Sequence, residues 1–305
     1  MKDRKVTNVA ASVRQRLLNA AQASGRPFQE VLQYFAMERF LYRLTKSPHA
    51  DRFVLKGALM FNVWGAATAR STRDIDLLGR MENSVPALEA TLRDVCRQAT
   101  EPDGLVFDPN TVAGSIIKEN ADYEGVRVTF LGVLENARIP MQIDIGFGDV
   151  MFPEPEITDY PTILGHDAPK LRAYSRETVV AEKFEAMVKL GISNSRMKDF
   201  YDIWLMSRQF DFQGARLATA IERTFANRQT AVSAEPVALS PAFGTDPAKV
   251  IQWQAFLKKS NLAGVSTDLA TVIGAIFTFL SPLASAVIEK RSFDQIWRAP
   301  GPWST

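Results

Sequence analysis

Cysteine and histidine are almost missing from this chain. Its 305 residues include one cysteine, Cys96, and two histidines, His49 and His166. A single cysteine excludes an internal disulfide and a cysteine-based zinc site, and it fits a reducing cytosol. Two histidines leave little for a His-rich metal centre or a Ser/His/Asp relay. An excess of one charge is missing too. With 36 basic and 34 acidic residues the net charge is +2, so global charge does not mark a nucleic-acid binder, although a local basic surface stays open. The first residues, MKDRKVTNVAASVRQRLL, lack the apolar core of a signal peptide. Long apolar runs are absent except for LATVIGAIFTFLSPLASAVI at 269–288, which has the length of a membrane span. Pro282 splits that run, and small and hydroxylated residues dilute it. We expect a buried helix followed by a second short helix there, with no membrane segment.

What is present is an ordinary globular composition, 46% apolar and 23% charged, long enough for one large or two smaller domains. Residues 8–24 and 27–46 have helical periodicity, with Phe28, Val31, Leu32, Phe35, Phe40, Leu41 and Leu44 recurring at three- and four-residue steps. Gly25-Arg26-Pro27 separates the two. Short strands are expected at 53–55 and 73–78, a short helix from Gly57 to Trp64, and a helix at 85–99. GVRVTFLGVL (125–134) and IPMQIDIGFGD (139–149) read as strands. Four prolines between 153 and 169 mark a boundary without a long periodic element. Helical patterns then occupy 176–190, 198–209, 213–228, 247–259 and 266–280, with a loop at 231–247. The fold class is α+β: a mixed sheet flanked by helices over residues 1–160, then an all-helical domain over 161–305.

The chemistry-bearing residues begin with RSTRDIDLLG, residues 70–79. Alternate residues of a strand share a face, so Asp74 and Asp76 point one way and Ile75 and Leu77 the other. The second strand repeats the pattern, with Asp144 and Gln142 opposite Met141, Ile143 and Ile145. If the strands are neighbours, three carboxylates converge above an apolar back. Two readings are open: a solvated strand face, or a site for hard divalent cations, which prefer carboxylate oxygens. Two such ions about 4 Å apart activate a hydroxyl and stabilise a leaving pyrophosphate. Upstream, Gly57 follows an apolar run and precedes a helix, a turn that offers backbone N–H groups to phosphate or is simply tight. Lys56, Arg70 and Arg73 add positive charge nearby in sequence.

Further along, Lys183 lies at the edge of the stripe formed by Val180, Phe184, Met187 and Val188. It either snorkels or aims an ammonium at a nucleotide's phosphates. In RMKDFYDIW, Lys198 and Asp202 are four apart, and Arg196 and Asp199 three. Surface pairing would stabilise the helix by only ~0.3–0.5 kcal/mol per pair. Lys198 precedes Asp202 in the poorer orientation, and cations near a helix start oppose the dipole. The alternative is a site role, with Lys198 on phosphate and Asp199 or Asp202 orienting lysines or a substrate hydroxyl.

FAMERFLYRL (35–44), DRFVLKGALMF (51–61), RSTRDIDLLG (70–79), IDIGFGD (143–149) and AEKFEAMVKLGISNSRMKDFYDIW (181–204) together resemble the AbiEii/AbiGii-type toxin family. These are nucleotidyltransferases of the polymerase-β-like superfamily, and the resemblance covers most of residues 1–210. It implies a polymerase-β-like nucleotidyltransferase domain and a metal-dependent (Mg²⁺ or Mn²⁺) transfer of a nucleoside monophosphate from an NTP. The acceptor it implies is RNA, the tRNA 3′ end in characterised branches, with translation blocked in the cytoplasm. The family's paired aspartates fall on Asp74 and Asp76, its third carboxylate on Asp144, its E-K-x-x-A lysine on Lys183, and its K-D-x-x-D segment on Lys198, Asp199 and Asp202. The set Lys56, Gly57, Arg70, Arg73 and Lys183 is then the expected nucleotide contact. One departure stands: Gly57-Ala58 replaces the usual Gly-Gly or Gly-Ser, which leaves grip there to backbone N–H groups. An antitoxin partner is also implied. The alternatives are transfer to a protein hydroxyl, and a noncatalytic nucleotide- or RNA-binding protein on the same fold. Arg208, Arg216, Arg223, Arg228, Lys258 and Lys259 are either RNA-phosphate contacts or solvated surface.

Overall fold

A computed structural model describes residues 8–120, 123–262 and 268–305. The chain divides into two compact units, and neither is an unbroken stretch. The first takes Met1–Trp64, Ser71–Gly148 and Glu156–Ala173; the second takes Gly65–Arg70, Asp149–Pro155 and Tyr174–Thr305. The division expected at 160/161 falls within the first unit's last segment.

In the first unit, helix α1 (Val9–Ser24) starts at Asn8, whose side chain accepts the Ala11 N–H, and ends at Gly25 in the left-handed region. Helix α2 (Phe28–Lys46) follows Pro27. Then come β1 (Phe53–Lys56), α3 (Met60–Val63), β2 (Ile75–Gly79), α4 (Val85–Arg97), β3 (Leu105–Asn120), β4 (Tyr123–Leu134), β5 (Ala137–Phe147), β6 (Glu156–Asp159) and β7 (Lys170–Ala173). The strands form a seven-stranded sheet in the order β3-β4-β5-β2-β1-β7-β6. It is mixed: β2 runs parallel to β5 and β1 parallel to β7, while the other neighbours are antiparallel.

Period-two alternation decides which face is buried. Ile139, Met141, Ile143 and Ile145 of β5 join Val126, Val128 and Phe130 of β4 and Ile75 and Leu77 of β2 in one core. Helices α2 and α4 supply Phe35, Phe40, Leu88 and Leu92 to it, and Phe40 packs against Phe107 and Phe130. The opposite face of β1, β2, β4 and β5 keeps the polar residues. The strands expected at 73–78, 125–134 and 139–149 are thus present with shifted ends. The 16-residue strand β3 was not expected. Its register with β4 breaks between Asp108 and Ala113, and Asp108 accepts the Asn110 N–H across Pro109. A turn-like Asp-Pro-Asn is tolerated because β3 is a sheet edge carrying a bulge. The proline-rich stretch holds β6 and β7, each too short to show a period.

The second unit contains α5 (Arg176–Leu190), α6 (Met197–Gln209), β8 (Phe212–Gln213), α7 (Gly214–Asn227), α8 (Pro241–Thr245), α9 (Pro247–Ser260), α10 (Leu269–Ile288), β9 (Ile296–Trp297) and β10 (Trp303–Ser304). It is not all-helical. β10, β9 and β8 form a small sheet, which two-residue strands do not betray in sequence. Trp297 and Trp303 from this sheet pack on Phe279 at 4.8 and 5.7 Å. Part of the loop expected at 231–247 is α8, capped by Ser240.

The break expected at Pro282 is also absent: α10 runs through it. Pro282 withholds its own N–H from the Thr278 carbonyl; one residue on, the Phe279 carbonyl accepts the Trp303 indole N–H at 2.9 Å. Of the helix expected at 266–280, residues 266–267 lie outside the described residues. Among the described residues α10 alone has the length and composition to cross a membrane. Its Val272, Ile276, Phe279, Leu280 and Leu283 are buried within the unit, against α6, α7 and α8, which accounts for its apolar composition.

Candidate active site

Asp76 and Asp144 are directly opposite each other on the parallel strands β2 and β5. Neighbours in register share a face, so both carboxylates stand on the side of the sheet away from the apolar core. Asp74 enters just before β2. One carboxylate oxygen from each of Asp74, Asp76 and Asp144 lies within 4.8 Å of the others. The Thr72 hydroxyl donates to Asp74, and the Thr72 N–H donates to the Tyr34 hydroxyl at 3.0 Å, so α2 braces the segment that carries Asp74.

The same row extends to both sides. Lys56 of β1 is opposite Asp76, and Arg127 of β4 is opposite Asp144. Across four strands the rung reads Arg127, Asp144, Asp76, Lys56: cation, anion, anion, cation. Arg127 donates from Nε to Asp144 Oδ1 at 2.8 Å and from its terminal nitrogen to Oδ2 at 2.7 Å. That hydrogen bond, with the Asp144, Asp74 and Asp76 charges, holds the guanidinium above its ordinary pKa against a smaller opposing effect of burial. Gly57 completes the floor. Its φ is +73°, and a Cβ there would sit 1.9 Å from Asp76 Oδ2. The helix expected after it is only a 3-10 turn, Gly57–Leu59, and the four residues of α3. Arg73 is exposed beside Asp74.

Three clustered carboxylates in a face of mixed burial fit a hard divalent cation. The donors are all oxygen, they converge, and their mutual repulsion is relieved by positive charge. Asp74, Asp76 and Asp144 would hold it.

The second unit gathers another set. Lys183 of α5 donates to Asp199 at 2.6 Å and lies 2.9 Å from Asp202. Asp202 also takes two hydrogen bonds from Arg70, at 3.0 and 3.1 Å. Arg196 lies 2.7 Å from Asp199. Asp199 and Asp202 are fully buried, one helical turn apart on α6, so they are not partners in surface pairing, and Lys198 is exposed. Burial alone would lower the Lys183 ammonium, but the two aspartate charges overcome it and hold its pKa above the ordinary value. Burial would likewise raise Asp199, yet Lys183 and Arg196 keep it far below the usual carboxylate range. Helix α6 also ties down Gly65–Arg70: Tyr201 donates to the Thr68 carbonyl, and Gln209 bonds Ala67 in both directions. Arg228 is not a surface phosphate contact. It is buried against Asp149 and Glu185, at 2.7 and 2.9 Å.

A family profile described as "Nucleotidyl transferase AbiEii toxin, Type IV TA system" matches residues 39–278. The chain belongs to the AbiEii family. The resemblance read from the motifs is borne out. AbiEii membership supports a nucleotidyl-transfer toxin, and therefore a nucleotide substrate and an antitoxin partner. Two solved structures share the fold. JHP933 from Helicobacter pylori is 14% identical, with a TM-score of 0.50 over 86% of this chain and 96% of that one. An H. pylori chain assigned as a nucleotidyltransferase is 13% identical, with a TM-score of 0.50 over 87% and 99%. No curated protein matches the chain.

In this AbiEii chain the motifs point to neither Arg127 nor Thr72, and they place Gln142 on the Asp144 face without giving it a role. Arg127 had a visible signal. In Val126-Arg127-Val128 the valines face the core, which puts the arginine on the face that carries Asp144.

Proposed function

We propose that this chain transfers a nucleoside monophosphate from an NTP to an RNA acceptor, the tRNA 3′ end, and so blocks translation in the cytoplasm. The observation that carries this reading is the in-register pairing of Asp76 with Asp144, with Asp74 converging on them. An acceptor hydroxyl gives its proton to solvent as its oxygen bonds to the α-phosphorus, the bond from that phosphorus to the oxygen bridging to the β-phosphate breaks, and pyrophosphate leaves with that oxygen. Mg²⁺ or Mn²⁺, when bound, supplies charge neutralisation on the triphosphate and a more acidic acceptor hydroxyl.

The chain's own residues do the rest. Asp74, Asp76 and Asp144 hold the cation, and Thr72 fixes the Asp74 rotamer. Lys56, Gly57 and Arg73 are assigned to the nucleotide. Lys183, Lys198 and Arg70 are assigned to its phosphates, with Asp199 and Asp202 setting the direction of Lys183 and Arg70. The support for the last assignment lies in the family motif and in the contacts made inside the second unit.

The test is incubation with each α-labelled NTP in turn, Mg²⁺ and total tRNA. Label should appear on tRNA and fall to background with Asp76→Asn. Label on protein bands instead would replace the acceptor. A chain that binds neither NTP nor Mg²⁺ would be a noncatalytic member of the fold.

A further inference from the structure

The third carboxylate is already taken. Arg127 engages both oxygens of Asp144, and Gln142 Nε2 sits 3.3 Å from each. The two partners differ in exposure: the Asp144 side chain is 10% exposed and that of Arg127 is 40%. The carboxylate is fixed in the sheet, while the guanidinium has room to leave. An arginine does not lose its charge at any working pH, so only another cation can replace it. Three unscreened carboxylates in this space would repel one another and lose solvation. Arg127 and Lys56, at the two ends of the rung, supply the missing positive charge from within the chain.

We propose that Arg127 is a positioning residue that stands in for a divalent ion at Asp144. It holds the third carboxylate ready before the ion binds, and it competes with that ion for Asp144. Asp74 and Asp76 therefore take an ion first, and Asp144 joins only when Arg127 gives way. This inference rests on the reading of Asp74, Asp76 and Asp144 as cation ligands.

The experiment is a Mn²⁺ titration of the full chain without nucleotide, read by electron paramagnetic resonance and calorimetry, with thermal melts in chelator. Arg127→Met frees Asp144, so Mn²⁺ should bind on the order of tenfold more tightly than to the native chain. Arg127→Lys, which keeps the charge but loses the fork, should fall between. In an Asp144→Asn background the Arg127→Met effect on affinity should vanish. In chelator Arg127→Met should melt below the native chain and recover when Mn²⁺ is added. Unchanged or weaker Mn²⁺ binding by folded Arg127→Met, with Asp74→Asn abolishing binding, overturns the role of Arg127 alone. If the native chain binds no Mn²⁺, the cation reading and this inference fall together. Arg127→Gln serves as the neutral variant if the methionine form does not fold.

Discussion

Gly57 shows how narrow the requirement at a single position can be. Among the positive-φ glycines of the first unit, Gly25 and Gly57 are there for different reasons. Gly25 closes α1 at φ +67°, and a Cβ there would meet nothing within 4 Å. Gly57, at φ +73°, would place its Cβ on the Asp76 carboxylate. Both Gly→Ala changes strain the backbone, by about 1–3 kcal/mol in urea denaturation. Only Gly57→Ala displaces Asp76 as well. We expect nucleotidyl transfer to drop at least about 100-fold with Gly57→Ala, in line with losing one electrostatic contact to the transition state. Gly25→Ala should keep full activity. Equal losses in both variants would mean that the glycine serves the fold and not Asp76. In sequence Gly57 reads as a turn that either offers N–H groups to phosphate or is simply tight. Its proximity to Asp76 was invisible because it depends on which strands are neighbours, which no local pattern states.

At the scale of elements, α2 is buried on nearly every side and carries charge into the interior. Arg39 and Arg43 both bond Asp103. Glu38 accepts the Ile163 N–H at 2.8 Å and lies 3.6 Å from Arg39. Burial pushes the Glu38 carboxyl up to about 7, against the Ile163 hydrogen bond and the Arg39 charge. Because the folded pKa is the higher one, the folded state holds a proton that the unfolded state has lost. Native stability should therefore decline as pH rises from about 4.5 to about 7, by up to about 3 kcal/mol, and level off above. Glu38→Gln keeps the acceptor and removes the titration. Its Tm advantage over the native chain should grow from pH 5 to pH 8, and an advantage independent of pH would rule this out. Elements were legible where one period ran long enough. Strand β5 alternates from Ile139 to Ile145, β4 from Val126 to Phe130 and β2 only from Ile75 to Leu77, and α1, α2, α5 and α6 keep helical steps. Strand β3 hid behind Asp108-Pro109-Asn110, and β6 to β10 are too short for any period. At Pro282 the local rule for ending a helix lost to the burial of Leu280, Leu283 and Ala284 on either side of it. The acidic pattern of the site and the face of Arg127 could be read from alternation, whereas the placement of Arg127 and Lys56 at the two ends of one rung required the register of four strands.

At the scale of the whole chain, each unit is assembled from separated segments. Strand β7 lies between β1 and β6 in the sheet, and the stretch before it supplies the Ile163 N–H to Glu38 and the Asp167 carbonyl to Arg39. A fragment ending at residue 160 loses all of these, which takes the Ile163 N–H from buried Glu38 and one acceptor from buried Arg39. We expect residues 1–160 to melt without cooperativity by circular dichroism, and residues 1–174, which retain all seven strands, to melt more sharply. A cooperative transition in the shorter fragment would refute this. The pairing of Asp76 with Asp144 carries one more implication. Strand side chains alternate, so sliding β5 past β2 by one residue would press Asp144 into the oily interior and turn both Ile143 and Ile145 out to water. A misaligned conformer is thereby both costly and inert, and the act of burying the isoleucines correctly is what delivers the acids to their place.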